Sequence, residues 1–450
     1  MQLSDTIAAV STASGRSGLA VIRLSGNSSL EISKKTFSNH RELLNSPRKL
    51  VFGKITTENA EIIDHSMCVY FKGPNSYTGE DIVEYHIHGN PLLVRKLLRA
   101  LYNCGAKPAE AGEFTKQAYL NSKIDLVQAE AISDLIYASS EKLLNLASDQ
   151  LAGKFSLVIE TIAEPLRDIL AEIEAGIDFP EEDIEPEKVD LLKKNILNIS
   201  EKIDSMINTF DYGKVIRDGY KILLCGKPNA GKSSLLNTLL ETDRVIVSDI
   251  SGTTRDTIEE TVNIDGYNFV LCDSAGITKT ENEIEKIGIE LALSKTTWAD
   301  LIFLVVDNNS TESDLKDLIN IIQEKNKNIW LIFNKSDLSS TRRSDFKDSF
   351  LISSKSKDGI EDLKKALVSK VDQLNYEDNS SIVTNERHRS CLKKSLEALN
   401  NSLGSIKIKQ PLEVIASDLR ISLSELNDIA GQTTTEDILG RIFSKFCIGK

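Results

Sequence analysis

Hydrophobic and polar positions follow different patterns in successive parts of the 450-residue chain. Up to residue 118, short apolar or alternating runs end at glycine, as in LAVIRLSG, SMCVYFKG and DIVEYHIHG, which is typical of strands. The next run, PLLVRKLLRALYNCG, has helical spacing, with Pro91 at its start and Gly105 at its end. Together these patterns predict an α+β domain over residues 1–118.

A helical pattern follows over residues 119–215, where apolar residues recur every three or four positions. Pro165 falls inside this pattern and is expected to kink or interrupt a helix, because proline lacks the backbone N–H. The acidic segment IDFPEEDIEPEK predicts a loop. Helical spacing returns over residues 378–450, so the two stretches are predicted to form one helical domain.

Residues 216–377 separate the two helical stretches and have a third pattern. The runs YKILLCG, NFVLCD, LIFLVVD and IWLIFNK are almost wholly apolar and alternate with helical stretches. Strands that are buried on both faces have this composition, which indicates a parallel α/β sheet. The sequence therefore predicts an α/β domain inserted into the helical domain.

Composition narrows the class of protein. The chain has 40% hydrophobic and 27% charged residues, and no apolar run approaches the roughly 20 residues that cross a bilayer. Its N-terminus lacks the basic start of a secretory signal. The six cysteines have no regular spacing, which favours reduced thiols over disulfides or zinc ligands. The net charge of −13 argues against nonspecific nucleic-acid binding by the whole surface. We expect a cytoplasmic protein without a membrane anchor.

The segment GKPNAGKS, residues 226–233, predicts a phosphate-binding loop. It follows an apolar run and opens a helical one, so that backbone N–H groups and the positive end of the helix dipole face the phosphates. Lys232 is expected to neutralise phosphate charge and to act in catalysis. Ser233 is expected to bind Mg²⁺.

Three further segments, each at the end of a predicted strand, complete a guanine-nucleotide pattern. The segment DSAG supplies Asp273 and a glycine amide for Mg²⁺ and the γ-phosphate. In NKSD, the carboxylate of Asp337 can accept from the ring N–H and the exocyclic amine of guanine, which adenine cannot match. The segment SSK, residues 353–355, is expected to cover the base. The predicted GTP-binding residues in these segments and the phosphate-binding loop are Asn229, Ala230, Gly231, Lys232, Ser233, Ser234, Asp273, Ser274, Ala275, Gly276, Asn334, Lys335, Asp337, Ser353, Ser354 and Lys355.

Hydrolysis needs a group that orients water, and the position where Ras-like enzymes carry glutamine is Ile277 here. The segment SDISGTTRD supplies Thr254 as a second Mg²⁺ ligand. Its backbone carbonyls, together with Asn229, could hold a monovalent cation that supplies positive charge beside the phosphates. An ordinary turn role for Asn229 is an equal alternative.

Two short features leave alternatives open. In YHIHG, His86 and His88 point to the same face of a strand, which suits either a metal site or, more often, a half-buried strand face. In FCIGK, Cys447 stands four residues from the end, where a prenylation signal is read, but Gly449 and Lys450 fit that signal poorly. A small buried hydrophobe and a reactive thiol are the other two interpretations.

On these residues the chain resembles the MnmE (TrmE) family of tRNA-modification GTPases. The resemblance extends from GRSGLAVIRLSG and YTGEDIVEYHIHGN through LNSKIDLVQAEAISDLI and DISGTTRD to FCIGK. It implies a multidomain fold: an N-terminal α+β domain that binds tetrahydrofolate and dimerises, an α-helical bundle domain, and an inserted P-loop α/β G domain of the Ras-like kind. The implied boundaries are 1–118, 119–215, 216–377 and 378–450.

The resemblance also implies roles for individual residues. K⁺ would be bound by Asn229 and by the loop residues Ser248, Ile250 and Thr253, and Glu285 would position the attacking water. The loop as a whole would add to the GTP-binding set, through Ser248, Asp249, Ile250, Ser251, Gly252, Thr253 and Thr254. A 5-formyl-tetrahydrofolate, or another tetrahydrofolate derivative, would be contacted by Arg23, Glu84, Lys123 and Lys450. Cys447 becomes a candidate for the modification chemistry.

The function so implied is a K⁺-activated GTPase. A flavoprotein partner, MnmG (GidA), would act with it in a heterotetramer or larger complex and would bring FAD and NADH. Together they would add an aminomethyl or carboxymethylaminomethyl group to C5 of the wobble uridine of certain tRNAs. The alternative is a ribosome-assembly GTPase of the Era or Der kind, which also has an apolar residue in place of the Ras glutamine and binds RNA without modifying it.

Overall fold

The computed structural model describes residues 5–178, 186–227, 229–243, 259–273, 297–307, 319, 328–338, 348–374, 379–432 and 435–450. The chain divides into two compact units. Unit 1 comprises Met1–Ser133, Leu151–Ser156 and Leu426–Lys450, and unit 2 comprises Asp134–Gln150 and Leu157–Glu425. None of the described helices has the length and apolar character that crossing a membrane requires. The four boundaries expected from the sequence stay predictions.

Unit 1 contains a six-stranded sheet with the strand order β3-β4-β5-β2-β1-β6. Neighbouring strands are antiparallel except β1 and β6, which are parallel. The strands are β1 Ile7–Val10, β2 Ser17–Ser25, β3 Val51–Thr56, β4 Ile62–Phe71, β5 Ile82–Gly89 and β6 Lys107–Pro108.

Three helices pack against this sheet: α1 Ser29–Thr36, α2 His40–Asn45 and α3 Pro91–Asn103. Helix α3 begins where the sequence predicts, because Pro91 occupies its first turn and the side chain of Asn90 accepts a hydrogen bond from the Leu92 N–H at 2.9 Å. Fully buried side chains such as Ile22, Leu24 and Tyr85 form the core of the sheet. Two more helices follow, α4 Glu113–Leu120 and α5 Leu126–Tyr137.

The remaining helices are α6 Glu141–Leu151, α7 Lys154–Asp178, α8 Pro186–Asn208, α9 Phe210–Asp218, α10 Lys232–Asp243, α11 Ile360–Asp372, α12 Glu386–Lys407, α13 Leu412–Ala430 and α14 Glu436–Phe443. The expected interruption at Pro165 is wrong, because α7 continues through it. Buried residues on both sides of the proline, including Ile162 and Leu166, hold the helix together despite one missing hydrogen bond. The helical stretch is interrupted earlier, between α6 and α7, where Gly153 has φ +83°.

Unit 2 contains the second six-stranded sheet, in the order β12-β11-β10-β7-β9-β8. Its neighbouring strands are parallel, as predicted, except that β8 is antiparallel to β9. Carboxyl ends of parallel strands meet at one edge, so Cys225, Asp273 and Asn334, which end β7, β9 and β11, lie along that edge. The strands are β7 Tyr220–Cys225, β8 Glu259–Ile264, β9 Tyr267–Asp273, β10 Leu301–Asp307, β11 Ile329–Asn334 and β12 Ser349–Leu351.

Candidate functional site

The loop between β7 and α10 has the backbone path of a phosphate-binding loop. Gly226 has φ +147°, and a Cβ added there would collide with the carbonyl oxygen of Val305 on the neighbouring strand. Gly231 has φ +94°, and its Cβ would collide with the side-chain amide of Asn334. Only glycine fits either position, because both combine a positive φ with a close neighbour.

Lys232 is 7% exposed and folds back over this loop. Its Nζ donates to the carbonyl oxygens of Gly226 at 2.9 Å and Lys227 at 3.1 Å. Burial lowers the pKa of Lys232, although the negative charge of Asp273 acts in the opposite direction. A buried ammonium group is poorly solvated, so a phosphate oxygen is a strong partner for it.

Ser233 and Asp273 meet beside the phosphate-binding loop. The hydroxyl of Ser233 donates to Asp273 Oδ2 at 2.7 Å. Hydroxyl and carboxylate oxygens are the hard ligands that Mg²⁺ prefers. The residues present therefore fit a magnesium ion at this position, as the sequence predicts for Ser233.

Asn334, at the end of β11, is 2% exposed and joins three of the predicted segments. Its Nδ2 donates to the carbonyl oxygens of Ala230 at 3.3 Å and Gly231 at 3.4 Å. Its Oδ1 accepts from the backbone N–H groups of Lys335 at 2.8 Å and Ser354 at 3.1 Å, and also from the Ser354 hydroxyl at 3.1 Å. Asn334 is thus an internal tie between the phosphate-binding loop and the SSK segment.

Asp337 is the residue predicted to read the base. The hydroxyl of Ser353 donates to its Oδ1 at 2.7 Å, which fixes the direction of the carboxylate. Lys335, between Asn334 and Asp337, has φ +65°, in the left-handed region that lysine rarely adopts. Two adjacent acceptor oxygens on a fixed carboxylate suit the adjacent N–H donors of guanine.

The other predicted residues of this site are placed as follows. Asn229 (φ +62°), Ser234 and Lys355 are exposed, and Ala230 is buried. Several predictions lie outside the described residues, namely those for Ser248, Asp249, Ile250, Ser251, Gly252, Thr253, Thr254, Ser274, Ala275, Gly276 and Glu285.

A second polar site lies in unit 1, on the sheet face opposite to α1 and α3. Arg23 Nε and Glu84 Oε1 are 2.9 Å apart, and each side chain is 15% exposed. The Arg23 guanidinium also lies 5.1 Å from the ring centre of Tyr77 and 5.5 Å from that of Phe114. These two aromatic residues were not predicted, because the tertiary fold, not their spacing in the sequence, brings the loop of Tyr77 and helix α4 of Phe114 to Arg23.

Arg23 and Glu84, two of the four predicted folate contacts, lie next to each other in the structure. Their role in folate binding stays a prediction. A third, Lys123, donates to the carbonyl oxygen of Pro74 at 3.0 Å. Pro74 and Tyr77 belong to one segment, between β4 and β5, so Lys123 and Arg23 contact the same loop.

The C-terminal tail docks on unit 1 largely through its backbone. The Gly112 N–H donates to the carbonyl oxygen of Cys447 at 3.4 Å, and the Ser11 hydroxyl donates to that of Gly449 at 3.1 Å. Gly449 has φ +98°, and a Cβ there would collide with the Val10 carbonyl oxygen. These contacts place the segment that carries Cys447 and Lys450 beside β1.

The described cysteines differ in accessibility. Cys68, Cys225, Cys272 and Cys391 are buried, whereas Cys104 and Cys447 are partly exposed. Burial raises the pKa of Cys225 to about 12, which makes its thiolate rare at neutral pH. Cys447 is thus one of two thiols open to a reagent or substrate.

The two strand histidines have separate surroundings. His88 is 70% exposed, and its Nδ1 lies 3.0 Å from both carboxylate oxygens of Asp64. His86 Nε2 lies 3.7 Å from Glu84 Oε2. His86 therefore adjoins the Arg23–Glu84 pair, whereas His88 is paired with Asp64.

Comparisons with known proteins agree with this arrangement. A model of the MnmE helical domain matches residues 126–447, and a model of the N-terminus of the GTP-binding protein TrmE matches residues 6–123. The tRNA modification GTPase MnmE of Alkaliphilus metalliredigens is 41% identical over 462 residues, and the alignment covers 100% of both chains. That of Aquifex aeolicus is 40% identical over 455 residues, again with 100% of both chains covered.

This chain belongs to the MnmE (TrmE) family.

Membership of the MnmE family confirms the fold class and the enzyme class expected from the sequence, a GTP hydrolase of tRNA modification. It also favours this interpretation over the ribosome-assembly alternative, since the likeness extends over the whole chain. Among solved structures, the G domain of the T. maritima iron transporter FeoB is 28% identical, with 33% of this chain and 97% of that chain covered. The TM-score between the two structures is 0.27.

The geometry of Asp337 predicts that it selects guanine. In Asp337→Asn the carboxamide can accept only one of the two N–H donors, so affinity for GDP should fall at least about tenfold, from roughly 1.5 kcal/mol for the one charge-assisted bond that is lost. Affinity for xanthosine diphosphate should rise, because xanthine has a carbonyl where guanine has its amine. Titration with fluorescent nucleotide analogues measures both.

Asp362→Asn is the matched control, since it makes the same chemical change at an exposed position of α11. Unchanged GDP affinity in Asp337→Asn, or an equal loss in the control, would contradict the assignment.

Proposed function

We propose that this MnmE-family protein is a K⁺-activated GTPase that works with the flavoprotein MnmG. Together they add an aminomethyl or carboxymethylaminomethyl group to C5 of the wobble uridine of certain tRNAs, with a tetrahydrofolate as one-carbon source. The observation that carries the proposal is that the described part of the chain has both the hydrogen-bonded nucleotide residues around Lys232 and Asn334 and, in unit 1, the partly buried Arg23–Glu84 pair. We also propose that it acts in the cytoplasm.

At the nucleotide site, the chain's own residues bind GTP and orient it. Lys232 neutralises phosphate charge, Asp337 holds the base, and Asn334 keeps both segments in register. Bound Mg²⁺ would be held by Ser233 and Thr254 and would supply positive charge at the phosphates. Glu285 would position the attacking water in place of the Ras glutamine.

Asn229 supports the proposal of a K⁺ site. It is an exposed residue of the phosphate-binding loop and has φ +62°. With Ser248, Ile250 and Thr253 it would supply the oxygen ligands that a monovalent cation needs. The cation would then provide the charge that an arginine supplies in other GTPases.

The site around Arg23 and Glu84 supports folate binding. A buried carboxylate that is held by one arginine keeps a second oxygen for the N–H donors of a pterin ring, and Tyr77 and Phe114 supply flat apolar surfaces near it. Lys123 and Lys450 would pair with the carboxylates of the folate tail.

An exposed apolar surface supports dimerisation through the N-terminal domain. Phe52 and Met67 are direct neighbours in the β3–β4 register and are 59% and 43% exposed. Side chains of this size are rarely left uncovered on a sheet face. A second copy of the chain would cover them, and the flavoprotein would join the dimer in a heterotetramer or larger complex.

The cation proposal predicts that GTP hydrolysis is at least about tenfold faster in KCl than in NaCl of equal concentration, because the smaller Na⁺ fits the same oxygen ligands poorly. Asn229→Ala should remove most of the difference, while Asn401→Ala, at an exposed position of α12, should keep it. A phosphate-release assay measures the rates. Equal rates in the two salts would reject the K⁺ site.

The modification proposal predicts that Cys447→Ser separates the two activities. GTP turnover should stay within about twofold of wild type, because the tail lies in unit 1 and the described nucleotide residues lie in unit 2. Uridine modification, measured by mass spectrometry of tRNA incubated with the flavoprotein, GTP, K⁺ and folate, should be lost. Cys104→Ser is the control for the other partly exposed thiol. Wild-type levels of uridine modification by Cys447→Ser would show that this residue has a structural role. If the wild-type protein itself gave no modified uridine, the proposed tRNA-modification function would be rejected.

The dimer proposal predicts that Phe52→Asp halves the molecular mass in solution at low micromolar concentration, because a buried, unpaired carboxylate opposes association. Leu92→Asp is the control, since Leu92 is 65% exposed on α3, which packs against the opposite face of the sheet. Sedimentation velocity gives the masses. A wild-type monomer, or dimers of Phe52→Asp as stable as wild type, would contradict the proposal.

A further inference from the structure

His86 occupies a central position on the sheet face that carries Arg23 and Glu84. On β5 it lies directly between Met67 of β4 and Val21 of β2. Glu84 is two residues away on the same strand, so both side chains point to one face. The Ser66 hydroxyl donates to the backbone carbonyl of His86 and helps to fix that part of the strand.

The ring of His86 is 23% exposed, but its Nε2 is buried and has no hydrogen-bond partner within the described part of the chain. The nearest acceptor is Glu84 Oε2 at 3.7 Å. Arg23 holds the other oxygen, Oε1, at 2.9 Å. The Glu84 carboxylate thus lies between a guanidinium and an imidazole.

The separation of 3.7 Å indicates how the imidazole is protonated. A bare Nε2 would direct its lone pair at a carboxylate oxygen, which is repulsive, so Nε2 carries a proton. The distance is too long for a closed hydrogen bond but leaves Oε2 able to accept from another donor. Burial acts to raise the pKa of Glu84, yet the His86 and Arg23 donors outweigh it, and the pKa is lowered.

We propose that His86 is a positioning residue of this site, which directs Glu84 Oε2 toward the N–H donors of a tetrahydrofolate ring. The proposal rests on the folate site proposed above. The His86 N–H orients the carboxylate and shares Oε2 with the ligand.

The test is the dissociation constant of 5-formyl-tetrahydrofolate, measured by calorimetry on the full chain. His86→Leu removes the N–H donor, so it should bind about tenfold more weakly than wild type. His86→Gln keeps an N–H donor, so its affinity should return to within about twofold of wild type.

His88→Gln is the matched control, because it removes a neighbouring imidazole that is held by Asp64 instead of Glu84. It should keep the wild-type affinity. Thermal unfolding of each variant shows whether it is folded. Wild-type affinity in folded His86→Leu, or an equal loss of affinity in folded His86→Gln, would overturn the role of His86 alone. An absence of binding by wild type would reject the folate site and this inference with it.

Discussion

The buried side-chain amide of Asn334 is the interaction on which the nucleotide site depends. Its two ends make five hydrogen bonds to backbone and side-chain groups of three separate segments. Removing it would leave several buried polar groups without partners, at about 1–3 kcal/mol each. The glycine at position 231 is required by the same contact, since a Cβ there would occupy the place of the amide. Asn334 therefore holds these segments together through hydrogen bonds to the protein's own groups.

The unit 1 site is organised by a related but weaker constraint. The carboxylate of Glu84 is held at Oε1 by Arg23, while its Oε2 lies 3.7 Å from His86 Nε2. At the nucleotide site, the Ser353 hydroxyl similarly holds the carboxylate of Asp337 at Oδ1. In both sites, a donor on a neighbouring element sets the direction of a carboxylate.

Sequence pattern predicted the parallel sheet and the nucleotide segments because each lies within a short stretch. The apolar run of β7, the glycines and Lys232 are contiguous, so their arrangement is local. Register is not local: Arg23 meets Glu84 across 61 positions, and neither that pair nor its contact with Phe114 follows from spacing. Pro165 was misjudged for the same reason, since tertiary burial around α7 outweighed the local preference of proline.

The difference between contacts within a short stretch and contacts made by the tertiary fold also explains how a thiol near the C-terminus is held in place. Terminal residues fray unless they are tied down. Here the tie is made by the carbonyl oxygens of Cys447 and Gly449, by the missing side chain of Gly449, and by the buried aromatic rings of Phe443 and Phe446. The tail is therefore held largely by its backbone and by buried rings. A segment that is fixed by its backbone can present reactive side chains at a defined place, which a frayed terminus cannot do.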